Sequence, residues 1–117
     1  MISKKSTVLT HLIGRNTIIK DNCVIGENVT IGNNVTIYPN VTIEDDVYIW
    51  DNCVIGRIPM KVSSIYSNVE MDNNKTIIKK GCVVGCGVTI YCGVCIGPQS
   101  LIGEHAVIRE RTILNGD

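Results

Sequence analysis

From residue 13 onward the chain places isoleucine at 13, 19, 25, 31, 37, 43, 49 and 55. Four places after each of the first seven comes a small or β-branched residue: Thr17, Cys23, Val29, Val35, Val41, Val47 and Cys53. Asn, Asp and Glu fill the places between, and glycine often follows the isoleucine directly, as at Gly14, Gly26, Gly32 and Gly56. A period of six fits neither the helical 3.6 nor the two-residue alternation of a long strand. It predicts a short strand of about four residues and a two-residue bend, because Asn, Asp and Gly suit turns. The isoleucine and the small residue two places before it share one strand face, since side chains alternate.

The beat breaks over "RIPMKVSSIYSNVEMDNNKT", residues 57 to 76, and resumes at Ile78, Val84, Ile90, Ile96, Ile102, Ile108 and Leu114. That makes fifteen hexads. Three strands close a triangular turn of eighteen residues, and turns stacked about 4.8 Å apart pair each strand with those above and below. The expected fold is all-β: a parallel β-helix of about five triangular turns with one inserted loop. One domain spans 1–117, with an irregular N-terminal turn at 1–12, repeats over 13–56 and 78–117, and the inserted loop at 57–77. A helix is disfavoured, because β-branched residues recur every second or third place and Asn and Gly interrupt them.

Composition narrows the partners. Eleven basic residues balance eleven acidic ones, which gives no electrostatic case for nucleic acid or an anionic membrane. There is no Phe, one Trp and four Tyr, so the interior suits branched aliphatics of one size. No apolar run approaches the roughly 20 residues of a membrane span. The basic start lacks a signal-type apolar run and a cleavage site, a pattern read as cytoplasmic.

The motifs "IGENVT", "IGNNVT" and "IGPQSL" resemble the signature of hexapeptide-repeat acyltransferases, and the resemblance covers most of the chain. The stretch from "VYIWDNCVIGRIPM" to "GEHAVIRE" is similar to bacterial sugar acetyltransferases, which carry an Ile-Gly-Arg-Pro loop exit and an Ile-Arg-Glu at the equivalent of Ile108, Arg109 and Glu110. The resemblance implies a left-handed β-helix, against the usual right-handed crossover. It also implies a homotrimer, with acetyl-CoA as co-substrate in the groove between neighbouring prisms. The acceptor it implies is a hydroxyl or amine of a sugar or nucleotide-linked sugar.

Such chemistry needs alignment, a proton acceptor and stabilisation of an oxyanion. Histidine is the usual base, and the chain has two, His11 and His105. His105 sits at the bend of its hexad and is either that base or a solvated bend residue. His11 lies before the beat is established. Some relatives carry a histidine in the interrupting loop, and the loop here has none. In relatives such loops shape the acceptor pocket, which makes Arg57, Tyr66 and Asn68 the substrate-binding candidates. A plain surface insertion is the alternative. Gly97, Gly103 and Ala106 are small positions where a pantetheine arm can approach the backbone, or simply positions where the fold wants small residues.

"CVVGCGVTIYCGVC" spaces Cys82, Cys86, Cys92 and Cys95 in a way that suggests zinc. The hexad register assigns them to different corners, so no metal is expected. Six thiols without a signal peptide fit a reducing compartment. A carbonic anhydrase of this architecture binds its metal through three histidines, which two cannot supply. The chain stops inside the hexad begun at Leu114, where solenoids need a cap. The competing reading is therefore a non-catalytic trimerising scaffold or an inactive fragment of such an enzyme.

Overall fold

The computed structural model describes residues 1–59, 75–109 and 113–114. Sixteen short strands lie along the described chain, numbered β1 to β16 in order, and no helix is present among these residues. They deal themselves in rotation onto three parallel sheets. Sheet one holds β1 (Thr7–Val8), β4 (Val24–Ile25), β7 (Val41–Ile43), β10 (Thr76–Ile78), β13 (Cys95–Ile96) and β16 (Ile113–Leu114). Sheet two holds β2 (Leu12–Ile13), β5 (Thr30–Ile31), β8 (Tyr48–Ile49), β11 (Val83–Val84) and β14 (Leu101–Ile102). Sheet three holds β3 (Ile18–Ile19), β6 (Thr36–Ile37), β9 (Val54–Arg57), β12 (Thr89–Tyr91) and β15 (Val107–Ile108).

The six-residue beat becomes three columns in space. Ile13 pairs with Ile31 and Ile31 with Ile49, each eighteen residues on. Ile19, Ile37 and Ile55 do the same on sheet three. The interior is these columns together with the small positions: Ile25, Ile43, Ile78, Val29, Val35 and Val88 are all fully buried. Stacked identical side chains fill the prism without aromatics, so the absence of Phe follows from its constant cross-section. Thr7 and Val8, within the segment expected to be irregular, already pair with Val24 and Ile25, and Ile2 bridges Ile19.

Two local devices explain the polar part of the repeat. The second bend residue is left-handed throughout: Asn16, Asn22, Asn28, Asn34, Asn40 and Asn52 have φ between 58° and 65°, with Asp46 at 62°. Asn and Asp tolerate that conformation better than other residues with a side chain. The first bend residue often reaches back over the glycine one turn earlier. Asp51 Oδ1 accepts from Asn33 N at 2.8 Å, Asp45 Oδ1 from Glu27 N at 2.8 Å, and Asn33 Oδ1 from Arg15 N at 2.7 Å. A Cβ on Gly32, Gly26 or Gly14 would overlap those same oxygens, which is why glycine follows the isoleucine there.

At the small inward position, cysteine and threonine also serve as donors. Cys53 Sγ donates to Gly85 O at 3.0 Å, Cys82 Sγ to Gly97 O at 3.0 Å and Thr17 Oγ1 to Gly32 O at 2.8 Å. Each ties a corner to the carbonyl of the next turn.

The insertion leaves sheet three after Arg57 and returns on sheet one at Thr76. Ile43 pairs with Ile78, thirty-five residues on rather than eighteen, so seventeen residues are added to one turn and the columns continue across it. At the exit Val54 and Ile55 face Thr89 and Ile90, but Arg57 faces Tyr91. Gly56, with φ 79°, is the extra residue of a β-bulge.

Candidate active site

The corner between sheets two and three stacks Asn16, Asn34, Asn52, Gly87 and His105 at its left-handed position. Among the described non-glycine residues in this conformation, only Gln99 and His105 are neither Asn nor Asp, with φ of 58° and 61°. Both have glycine one turn earlier, Gly81 and Gly87, with φ of 77° and 71°. These glycines make room. A Cβ on Gly87 would overlap Nδ1 of His105 and come within 2.8 Å of its Cε1, and one on Gly81 would lie 3.1 Å from Cγ of Gln99. The imidazole therefore lies back on the Gly87 main chain with its Nδ1 edge inward. The His105 backbone N donates to Cys86 O at 2.9 Å, and the residue is exposed.

Of the small positions, Gly103 and Ala106 share this bend and Gly97 does not. Gly103 is exposed, and an added Cβ there meets nothing within 4 Å. Ala106 packs half-buried against the core, and its carbonyl accepts from Thr89 N at 3.0 Å. Gly97 lies one hexad earlier and so at the next corner, between sheets one and two. It is buried there, with its carbonyl taken by Cys82 and by Ser100 Oγ at 2.8 Å. His11 lies at that corner also, so the two histidines stand apart.

The corner between sheets three and one carries a second polar group. Arg57 and Arg109 stand over the ring of Tyr91, with guanidinium carbons 5.8 Å and 4.2 Å from its centre. Two turns before Tyr91 at the same corner, Lys20 Nζ lies 4.5 Å over the ring of Tyr38. His105 and Arg109 bracket β15, so about 13 Å of strand separates their α-carbons. Arg57 thus sits across the sheet from His105 rather than beside it. Tyr66 and Asn68 lie outside the described residues, as does Glu110. Sequence reading passed over Tyr91 and Gly87, although each is eighteen residues from a residue it had marked, Arg109 and His105.

Three of the cysteines serve the scaffold. Burial pushes the thiols of Cys23, Cys53 and Cys82 up, with hydrogen bonds from the backbone acting the other way. A buried neutral thiol is a poor nucleophile and a poor metal ligand. Cys92, although at a bend, is 4% exposed. Among the described residues no three His, Cys, Asp or Glu gather closely enough to hold a metal ion, and none of the described residues forms a helix long and apolar enough to cross a membrane.

No curated protein matches the chain. One similar solved structure is AntD, an N-acyltransferase from Bacillus cereus in complex with dTDP and 3-hydroxybutyryl-CoA. It is 22% identical, the match covers 97% of this chain and 71% of that one, and the TM-score is 0.51. That likeness is one of fold. The profile described as bacterial transferase hexapeptide (six repeats) matches residues 10–45, 22–57 and 75–110. Those segments take in more than half of the sequence and coincide with the stacked columns. The chain belongs to the bacterial transferase hexapeptide family, and its three-sheet solenoid is the left-handed parallel β-helix of hexapeptide repeats.

Proposed function

We propose that this protein is an acyltransferase that moves an acyl group, acetyl in the first instance, from CoA to a hydroxyl or amine of a sugar or nucleotide-linked sugar. The observation that carries the reading is His105: an exposed imidazole at a left-handed bend, seated on a glycine, in a chain of the hexapeptide transferase family. The acyl-CoA and the nucleoside diphosphate bound by AntD support the substrate classes.

In the reaction the acceptor oxygen or nitrogen attacks the thioester carbonyl and the C–S bond breaks. His105 takes the acceptor's proton and returns it to the departing CoA sulfur. Gly103, with open space over it, and Ala106 beside it line the donor's approach to that imidazole. Gly97 is the weakest of the three donor-site assignments, since it is buried at another corner. Arg57 contacts the acceptor side, together with Tyr66 and Asn68 of the insertion.

The working unit in this reading is a cytoplasmic homotrimer with the donor between prisms. The outer face of sheet two supports such a contact. It exposes Leu12 at 53%, Tyr48 at 39% and Leu101 at 77%, with the Trp50 ring tilted 32° against Tyr48 at 4.9 Å. Thr30 stands between Leu12 and Tyr48, and large apolar side chains gathered on one face in this way suit a protein contact.

The test is CoA-thiol release with acetyl-CoA and 3-hydroxybutyryl-CoA over a panel of amino- and hydroxy-sugars, free and nucleotide-linked. Acceptor-dependent release that falls on His105→Asn supports the reading. A folded trimer that binds no acyl-CoA, shown by an unchanged melting midpoint in excess ligand, makes the protein a scaffold instead. Ligand at about 100 times its Kd would add about 2.7 kcal/mol.

A further inference from the structure

Gln99 is the outlier among the left-handed bends. Asn, Asp and His are enriched in that conformation, and glutamine is not. Asn28 and Asp46 hold the same place lower in the stack at its corner, with φ of 60° and 62°. The bend therefore does not need the longer side chain. Space is nonetheless cleared for it: Gly81, one turn earlier, would carry a Cβ only 3.1 Å from Cγ of Gln99. A residue held in a sparsely populated conformation, with room made for its side chain, points to use rather than to folding.

His105 is the other such residue, and β14 alone lies between the two, so Gln99 and His105 stand at the two ends of one strand of sheet two. Both are exposed, and both lie back on a glycine of the turn before. Within one copy they are roughly 15 Å apart, too far to meet on one reacting carbonyl. Between copies they are not. The exposed apolar side chains of sheet two are spread along the prism, from Leu12 on β2 through Tyr48 on β8 to Leu101 on β14. Covering all of them at once needs prisms that lie parallel. In a closed ring the contact is heterologous, so one edge of each sheet meets the opposite edge of its neighbour. The His105 corner of one copy then faces the Gln99 corner of the next. Rotation about an axis along the prism leaves height unchanged, and one side of a triangular turn rises by only about 1.6 Å. Charges at the two corners suit this pairing. Arg15 comes within a turn of the neighbour's Glu27, and the neighbour's Lys80, stacked on its own Asp45, comes within a turn of Asp51.

We infer that Gln99 is a catalytic residue supplied in trans: its side-chain amide N–H donates to the thioester carbonyl oxygen of a donor held at His105 of the neighbouring copy. As the acceptor attacks the carbonyl carbon, negative charge gathers on that oxygen, and an amide aimed at it stabilises the charge. The electron pair returns to re-form C=O as the C–S bond breaks. The acceptor's proton passes by way of His105 to the departing sulfur, and the amide neither gains nor loses one. The inference rests on the acyl-transfer reading for the reaction and on the trimer for the neighbour.

The experiment has two arms, both on the full chain. The first reads geometry without activity. Chains carrying Gln99→Cys and chains carrying His105→Cys, each with Cys86→Ser, are co-expressed and oxidised. A disulfide-linked dimer is expected from the pair and from neither chain alone. No dimer from the pair, or as much from either chain alone, overturns the pairing. The second arm reads the role. Gln99→Ala, and Gln99→Glu, which keeps the size but cannot donate, should each lower kcat on the order of 10²-fold, with KM and melting midpoint little changed. Gln99→Ala and His105→Asn chains, each impaired alone, should regain activity when co-expressed, because about one site in four then joins an intact His105 to an intact Gln99 of the next copy. Gln99 variants as active as wild type, or no recovery in the mixture, overturn the role and leave the acyltransferase standing. A protein that forms the linked dimer but transfers no acyl group overturns the role together with the acyltransferase reading.

Discussion

The Nδ1 edge of the His105 imidazole lies on the α-carbon of Gly87, one turn earlier in the same corner, with no room for a Cβ between them. Asn34 and Asn52 hold the same left-handed place earlier in that stack, so Gly87→Asn should fold. Its side chain would nonetheless push the ring off its seat. Displacement of about 1 Å at a reacting group costs on the order of 10²-fold, and kcat should fall accordingly with the melting midpoint little changed. Asn34→Gly changes the same left-handed place two turns earlier and serves as the control, with activity intact. Loss of the nuclear Overhauser contact between His105 and Gly87 checks the geometry without any activity. Equal effects of the two variants on rate would remove the seat from the mechanism.

His105→Asn keeps a residue suited to φ 61° and takes away the imidazole. A positioned base contributes typically 10²–10⁴-fold, so kcat should drop by that order while denaturant midpoints stay within about 0.5 kcal/mol of wild type. A variant as active as wild type rules His105 out as the base.

Buried thiols make the fold sensitive to alkali. Burial raises Cys23, Cys53 and Cys82 above the ordinary 9.0, so the folded chain keeps protons that the unfolded chain has lost. Their contribution is whole below about pH 9 and is lost as pH rises through the raised values. Melting midpoints should be level from pH 7 to about 8.5 and fall beyond. A Cys53→Val, Cys82→Val protein should fall less steeply, since valine fills the equivalent place at 29, 35 and 88. Parallel pH curves for the two proteins would contradict the assignment.

Glycines after the isoleucine divide into two kinds. A Cβ at Gly32 overlaps Asp51 Oδ1 and stands 2.9 Å from Asp51 N, whereas one at Gly103 meets nothing. Gly32→Ala should cost roughly 1–3 kcal/mol, as overpacking does. Gly103→Ala should stay within about 0.5 kcal/mol. Urea denaturation of the two proteins compares them directly, and a Gly32→Ala protein as stable as wild type would show that Asp51 gives way freely.

Thr76 is fully buried, and its hydroxyl has no hydrogen-bond partner among the described residues. Thr10 and Thr17, by contrast, donate to carbonyls of the next turn at 2.7 Å and 2.8 Å. Thr76 pairs with Val41, and Val41 and Val94 in the same stack are fully buried. Thr76→Val should therefore stabilise by about 1 kcal/mol, read as a higher melting midpoint. A lower midpoint would mean that the hydroxyl is satisfied in solution.

The columns were legible because a six-residue beat on a triangular turn is a direct image of who stacks on whom: Ile13, Ile31 and Ile49 could be paired by counting. The same count links Gly87 to His105 and Tyr91 to Arg109. Arg57 resists it, because a seventeen-residue insertion and a one-residue bulge both intervene before its partner. Gly97 lies apart from Gly103 and Ala106 for a related reason. Six residues along the chain is one side of the prism, so a neighbour in sequence stands at a different corner. The inward donors, such as Cys53 to Gly85, left no mark in the pattern, since valine fills the same place equally well.

The insertion is seventeen residues long, a number that six does not divide, yet Ile43 still meets Ile78 and Ile55 still meets Ile90. Phase along the chain is broken there while phase in space is kept. The prism therefore has a splice point: between Arg57 and Thr76 the chain can be lengthened, shortened or exchanged without any column having to shift. Sequence can vary at that corner while the stacked isoleucines stay under constant constraint.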